Sequence, residues 1–361
     1  MTGQPRTTPA DLFRAAAQQH QSGRLVEAEA GYRELLGRAP DHAEGMQLLA
    51  LVLAQTGRPG EAIEWLRRAI RLRGDQPAWH NNLGELLRKQ QHHEEAVASF
   101  QRALALAPRF PEAHYNLGNV LKGLSRYAEA LSCYRRALEL RPDYASARYN
   151  LANALRETGQ GKAAVDEYRG ALALRPDWRD ALLNLGNAWY DLRDYEEAIR
   201  CYQQAQTLTA DEKPLAANLG VAFQAKGDLA GAAEHFRRDL AHHPGDWLRE
   251  LRLAALAPVI PAGNAAIDEY RAGLAATLER FRDCPRTLDV AELHASGAEP
   301  PLALAYHGRD DLPLKRRYAD LFTSVIRPLR PVPSGGLPRV GVVVTRGHEG
   351  VFARCFGELV A

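Results

Sequence analysis

Residues 111–144 read PEAHYNLGNVLKGLSRYAEALSCYRRALELRPDY, and residues 145–178 read ASARYNLANALRETGQGKAAVDEYRGALALRPDW. Set one above the other, they share a period of 34 residues. Each holds two amphipathic stretches of about four turns, with apolar residues recurring at helical spacing. Each ends in Arg-Pro-Asp followed by an aromatic residue. Proline lacks an N–H and clashes with the preceding turn, so it closes the second helix.

The same grid extends in both directions. Pro40, Pro108, Pro142, Pro176 and Pro244 fall on it, and Gly74 and Ala210 occupy the two remaining points. With the grid residue as position 32, seven repeats run over residues 9–246. Position 8 is small throughout: Ala16, Ala50, Gly84, Gly118, Ala152, Gly186, Gly220. Position 20 is always alanine, and position 24 is always bulky: Tyr32, Leu66, Phe100, Tyr134, Tyr168, Tyr202, Phe236. Position 27 is alanine in the five central repeats. Small residues let two helix axes approach closely, and the large one fills the space beside them. This pattern resembles the tetratricopeptide repeat. The resemblance implies an all-α fold, a superhelical solenoid of helix pairs with a long concave surface. A bundle of unrelated amphipathic helices would not hold one register through seven copies.

Position 6 of the first helix is asparagine in five successive repeats: Asn82, Asn116, Asn150, Asn184 and Asn218. Position 9 adds Asn119, Asn153 and Asn187. At about 100° per residue these positions share one face, roughly 150° from the packing positions 4, 7, 8 and 11. Asparagine is a poor helix former, and its amide offers both donor and acceptor. The row suits the bracketing of an extended peptide's backbone; amides bonded to neighbouring helices or to water are the alternative. The runs 115–122 (YNLGNVLK) and 149–155 (YNLANAL) resemble repeats of protein O-GlcNAc transferases and the related Spindly-type O-fucosyltransferases. That resemblance implies that helix A lines the inner curve and that the asparagines hold the backbone of acceptor proteins. Repeats 1 and 2 depart, with Arg14 and Leu48 at position 6, so the ladder is expected to stop there. Position 12 is basic at Arg88, Lys122 and Arg156, which reads as a solvated face.

After the repeats, residues 247–257 read as a capping helix. A further helix is expected over 264–282, with Ile267, Tyr270, Leu274, Leu278 and Phe281 on one face, and a short one near 287–295; capping helices thus span 247–297. Residues 298–338 hold seven of the 21 prolines and read as a linker, with a helix over 312–326 inside it. Residues 339–345 (RVGVVVT) form an apolar, β-rich run, followed by a turn and a helix over 351–361. One βα unit has too little apolar area to stand alone, so the chain is expected to be part of a longer protein.

The transferase resemblance extends here too. Arg339-Val340-Gly341 followed by Gly347-His348 is similar to the first strand and loop of a two-lobed GT-B glycosyltransferase module. Residues 304–308 (LAYHG) and 315–319 (KRRYA) are similar to the segment before it. What the resemblance implies is a UDP-sugar donor for the full-length protein and a catalytic role for His348. A shorter loop, with Thr345-Arg346 in place of an Asp-containing pair, departs from the family. Residues 1–361 alone are expected to transfer no sugar. A non-enzymatic scaffold binding partner peptides in its groove is the other functional reading.

Composition bounds the rest. A net charge of +2 argues against a broad nucleic-acid-binding face. No apolar run is long enough to span a membrane, and residues 1–8 carry no secretory signal and read as a disordered tail. Cys133, Cys201, Cys284 and Cys355 form no metal or disulfide spacing, which places the protein in the reducing cytoplasm without a bound metal. His92-His93 and His242-His243 read as solvated turns.

Overall fold

A computed structural model describes residues 8–208, 213–256, 263–282 and 313–317. They divide into two compact units between Pro244 and Gly245.

The first unit is a run of antiparallel helix pairs: α1 (Pro9–Gln21) with α2 (Leu25–Arg38), α3 (Ala43–Gln55) with α4 (Pro59–Leu72), α5 (Pro77–Lys89) with α6 (His93–Leu106), α7 (Pro111–Gly123) with α8 (Tyr127–Leu140), α9 (Ala145–Glu157) with α10 (Gly161–Leu174), α11 (Arg179–Asp191) with α12 (Tyr195–Thr207), and α13 (Lys213–Lys226) with α14 (Leu229–His242). Each pair is one 34-residue repeat, helix A followed by helix B, and each B helix packs on the A helix of the next pair. The tetratricopeptide-type solenoid expected from the spacing is what forms.

Burial follows the spacing. The position-20 alanines Ala28, Ala62, Ala96, Ala130, Ala164, Ala198 and Ala232 are wholly buried, as are the position-24 rings of Tyr32, Phe100, Tyr134 and Tyr168. Helix A comes so close to helix B that a Cβ added to Gly118 would lie 2.7 Å from Tyr134 Cε1, and one on Gly84 would lie 2.7 Å from Phe100 Cε1. Repeats 1 and 5 accommodate one methyl at this place, with Ala16 and Ala152 wholly buried beside position-24 tyrosines.

The turn between A and B rests on position 15, which is left-handed in every repeat: Gly23, Gly57, Gln91, Ser125, Gly159, Arg193 and Gly227, with φ from 59° to 90°. Only glycine adopts this conformation without steric cost, yet three repeats do without it. There the packing of the two helices outweighs the local preference.

Successive A helices approach one another, α1 with α3, α5 with α7, α7 with α9 and α9 with α11, whereas no successive B helices do so to the same extent among the described residues. The layer whose members come closest lies on the inside of a bend. Helix A therefore lines the inner curve.

In the second unit, α15 (Trp247–Ala254) and α16 (Asn264–Arg282) pack together, and Leu248, Leu251, Leu274, Leu278, Phe281 and Leu314 form a small core. The Asp246 carboxylate accepts from Leu248 N at 3.1 Å and Arg249 N at 3.3 Å, capping α15. Residues 313–317 are helical. The tail 1–8 up to Thr7, the helix expected near 287–295, most of the 298–338 linker, and the βα unit 339–361 with His348 lie outside the described residues, as do Cys284 and Cys355. Cys133 and Cys201 are free thiols. Burial raises both, to about 11. Among the described residues no helix is long and apolar enough to cross a membrane.

Two outcomes follow from the core. Gly118→Val should destabilise the unit by about 1–3 kcal/mol, because two further methyls meet the Tyr134 ring; an unchanged midpoint in urea would refute the close approach. Burial also raises the phenols of Tyr32 (to about 12), Tyr134, Tyr168 and Tyr202 above their ordinary value near 10. The unfolded chain releases these protons first. Stability should be fully present below about pH 10 and fall as pH rises beyond it. Melting temperatures that stay level between pH 10 and pH 11 would contradict that.

Candidate functional site: the amide rows of helix A

All eight asparagines of the two rows are half-buried on the inner-curve helices. In repeats 4 to 6 they are tied into a regular network. Asn150 Nδ2 donates to Asn119 Oδ1 at 2.7 Å and to Tyr115 Oη at 3.1 Å. One repeat on, Asn184 Nδ2 donates to Asn153 Oδ1 at 3.1 Å and to Tyr149 Oη at 2.8 Å. The position-24 tyrosines reach the same oxygens from beneath. Tyr134 Oη donates to Asn119 Oδ1 at 2.9 Å, Tyr168 Oη to Asn153 Oδ1 at 2.5 Å, and Tyr202 Oη to Asn187 Oδ1 at 2.7 Å.

In these repeats the amides bond neighbouring helices, with some of their polar atoms left over. Asn150 at position 6 spends its N–H groups on the preceding repeat and keeps its carbonyl oxygen; Asn184 spends its N–H groups likewise, and its oxygen takes a hydrogen bond from Asn187 Nδ2. The position-9 amides of Asn119 and Asn153 spend their oxygens, each taking two hydrogen bonds, and keep their amino groups. Neither the Asn150 oxygen nor the amino groups of Asn119 and Asn153 bond to another described residue. The unspent remainder is an acceptor at Asn150 and donors at Asn119 and Asn153.

The pattern loosens toward the ends. Asn116 Nδ2 donates to Asn81 Oδ1 at 3.1 Å, since position 9 of that repeat is Glu85. Asn187 Nδ2 donates to Asn184 Oδ1 at 3.4 Å. Asn82 and Asn218 carry no hydrogen bond to another described residue.

The network includes residues that the sequence reading assigned to the core alone. Tyr134, Tyr168 and Tyr202 are core rings, but their hydroxyls orient the position-9 amides. A signal for this existed: among repeats 2 to 7, tyrosine at position 24 occurs only where position 9 is asparagine. The position-5 rings are braced in turn, Tyr115 against Tyr144 at 4.9 Å and Tyr149 against Trp178 at 4.5 Å.

The basic row is neutralised within the protein. Lys122 pairs with Glu157 of the next repeat at 3.7 Å, Arg156 with Asp191 at 2.7 Å, and Arg88 with Glu85 at 3.2 Å. It is a row of ion pairs, two of them between repeats and the Arg88 pair within α5. His92 likewise bonds the exposed Glu95 at 3.0 Å, which holds that carboxyl below its ordinary value.

Comparison with known proteins agrees with this architecture. Tetratricopeptide-repeat family models match residues 19–86, 111–144, 133–164 and 180–208, and a TPR-repeat model matches 84–125. Over 68 residues the chain is 40% identical to human tetratricopeptide repeat protein 7B, which covers 19% of this chain; the chain spans only 8% of that protein. A solved tetratricopeptide repeat protein from Parabacteroides merdae is similar at 17% identity, covering 69% of this chain and 98% of its own, with a TM-score of 0.52. PilW, a type IV pilus biogenesis factor, is similar at 20% identity, covering 56% and 94%, with a TM-score of 0.51. Repeats of this kind are protein-interaction scaffolds, and the 34-residue grid, the packed helix pairs and the family matches agree that this chain is a tetratricopeptide-repeat protein.

Proposed function

We propose that the inner face of the first unit holds an extended polypeptide by its backbone, and that it recruits acceptor polypeptides to a nucleotide-sugar-dependent protein O-glycosyltransferase in the cytoplasm. The observation that carries the first part is the alternation of unspent groups, the Asn150 oxygen beside the Asn119 and Asn153 amino groups. A peptide unit presents one donor and one acceptor whatever its side chain. Rows that offer the complement of both grip an extended chain without reading its sequence. The internal pairing of Arg88, Lys122 and Arg156 leaves the face without a row of free cations, so acidic character in the partner gains little.

The transferase part is supported by the resemblance of the asparagine-bearing repeats and of residues 339–341 with His348, with a UDP-sugar as the donor. A non-enzymatic scaffold uses the same rows. Its support is that residues 19–164 and 180–208 match models of a repeat family that serves as protein-interaction scaffold.

Replacing Asn119 and Asn153 together by aspartate tests the grip. The carboxylates still accept from Tyr134 and Tyr168, while the free amino groups are lost. Capture of neutral, extended peptides should weaken at least about tenfold, the equivalent of one or two hydrogen bonds, with little change in melting temperature. Unaltered capture would remove the amide rows from the binding surface. Sugar transfer from UDP-sugars to a captured polypeptide, by the product of the complete reading frame, separates the two readings; capture without transfer selects the scaffold.

A further inference from the structure

Repeat 1 breaks the pairing of tyrosine with asparagine. Tyr32 occupies position 24 and is wholly buried. Position 9, however, is Ala17, and the Tyr32 hydroxyl is buried with no hydrogen-bond partner. Leaving such a group unpaired is destabilising, because its hydration is lost and nothing replaces it.

The direction of this hydroxyl follows from the other repeats. In repeats 4 and 5 it ends on an oxygen that also takes a hydrogen bond from position 6 of the next repeat. It thus points at the gap between position 9 of its own repeat and position 6 of the following one. In repeat 1 that gap lies between Ala17 and Leu48. Leu48 is a wall of an open pocket of about 530 Å³, lined also by His20, Gln21, Gly23, Leu25 and Gln55. His20 stands edge-on to the Tyr32 ring, centroids 6.3 Å apart, and its Nε2 meets Gln55 Oε1 at 3.0 Å.

The lining selects a chemistry. It holds no Lys, Arg, Asp or Glu, so it offers a charged group no counter-charge. Leu25 and Leu48 suit a short aliphatic stem. A wholly aliphatic side chain would leave the Tyr32 hydroxyl unpaired.

We infer that this pocket receives a carboxamide side chain, glutamine or asparagine, from the polypeptide lying on the inner face, its amide oxygen accepting from Tyr32 Oη. The partner thereby supplies the amide that position 9 supplies in repeats 4 to 6, and half-buried Leu48 changes rotamer to admit it. The inference rests on the reading of helix A as a polypeptide-binding face. It gives the otherwise sequence-blind rows one point of side-chain selection.

The test uses the full chain and two kinds of probe. N-acetylglutamine methylamide, small enough to need no groove, should shift the His20 imidazole resonances on titration. Serine/glycine peptides with one central glutamine should bind at least about fivefold more tightly than those with leucine or glutamate there, the worth of one hydrogen bond. In Ala17→Asn, the protein's own amide takes the Tyr32 hydroxyl. The melting temperature should rise, and the His20 response and glutamine preference should both vanish. Tyr32→Phe deletes one oxygen, keeps the fold and should abolish the preference alone. Equal binding of the three peptides, or a full response in Ala17→Asn, overturns the inference. No His20 response while peptides are still retained overturns the pocket and leaves the polypeptide-binding reading standing; no retention of any peptide overturns both.

Discussion

Everything in the first unit depends on how closely helix A can approach helix B. A small residue at position 8, an alanine at position 20 and a bulky residue at position 24, a ring everywhere but Leu66, set that distance. The ring fills the gap and carries its hydroxyl across to the far side of helix A. Were the helices an ångström further apart, Tyr134 would not reach Asn119 and the amide would lose the partner that orients it. Packing density in the core thus becomes hydrogen-bond geometry at the surface.

The amide rows hold successive repeats together with some of their atoms and leave others unspent. Asn150 fastens repeat 5 to repeat 4 through its N–H groups, and its oxygen is left over. Asn119 is fastened by its oxygen, and its amino group is left over. An amide with free rotation would lose entropy on gripping a ligand, whereas one already held by two bonds has little to lose. The same bonds mean that shortening Asn150 or Asn184 to alanine alters the junction between repeats as well as the surface. Exchanging Asn119 or Asn153 for aspartate keeps the junction.

Repeat 1 shows what happens when one member of the set is missing. Tyr32 keeps the ring that the core needs, but with Ala17 opposite, its hydroxyl is stranded. Natural cores seldom leave such a group unpaired, and the pocket beside Leu48 stands where the missing amide's neighbour would be. The polar–apolar boundary along position 6, Leu48 then Asn82, is therefore a change in the chemistry that the inner face presents.

The fold was legible because its cause is local and periodic. Position 8 against position 24 and the helix-ending proline recur every 34 residues, and covalent spacing carries them into space unchanged. The side of helix A on which the asparagines lie was legible for the same reason, since a helix fixes angles from sequence distance. The left-handed turn at position 15 was hidden, because Gln91, Ser125 and Arg193 occupy it where glycine would announce it. Also hidden was the choice of which amide atoms stay unspent. That depends on partners 15, 31 and 35 residues away, brought together only when helix pairs stack. Sequence determined that a row of carboxamides would line the inner curve; tertiary contact decided which end of each faces outward, because a hydrogen bond is assigned by the neighbour that arrives, not by the residue that waits.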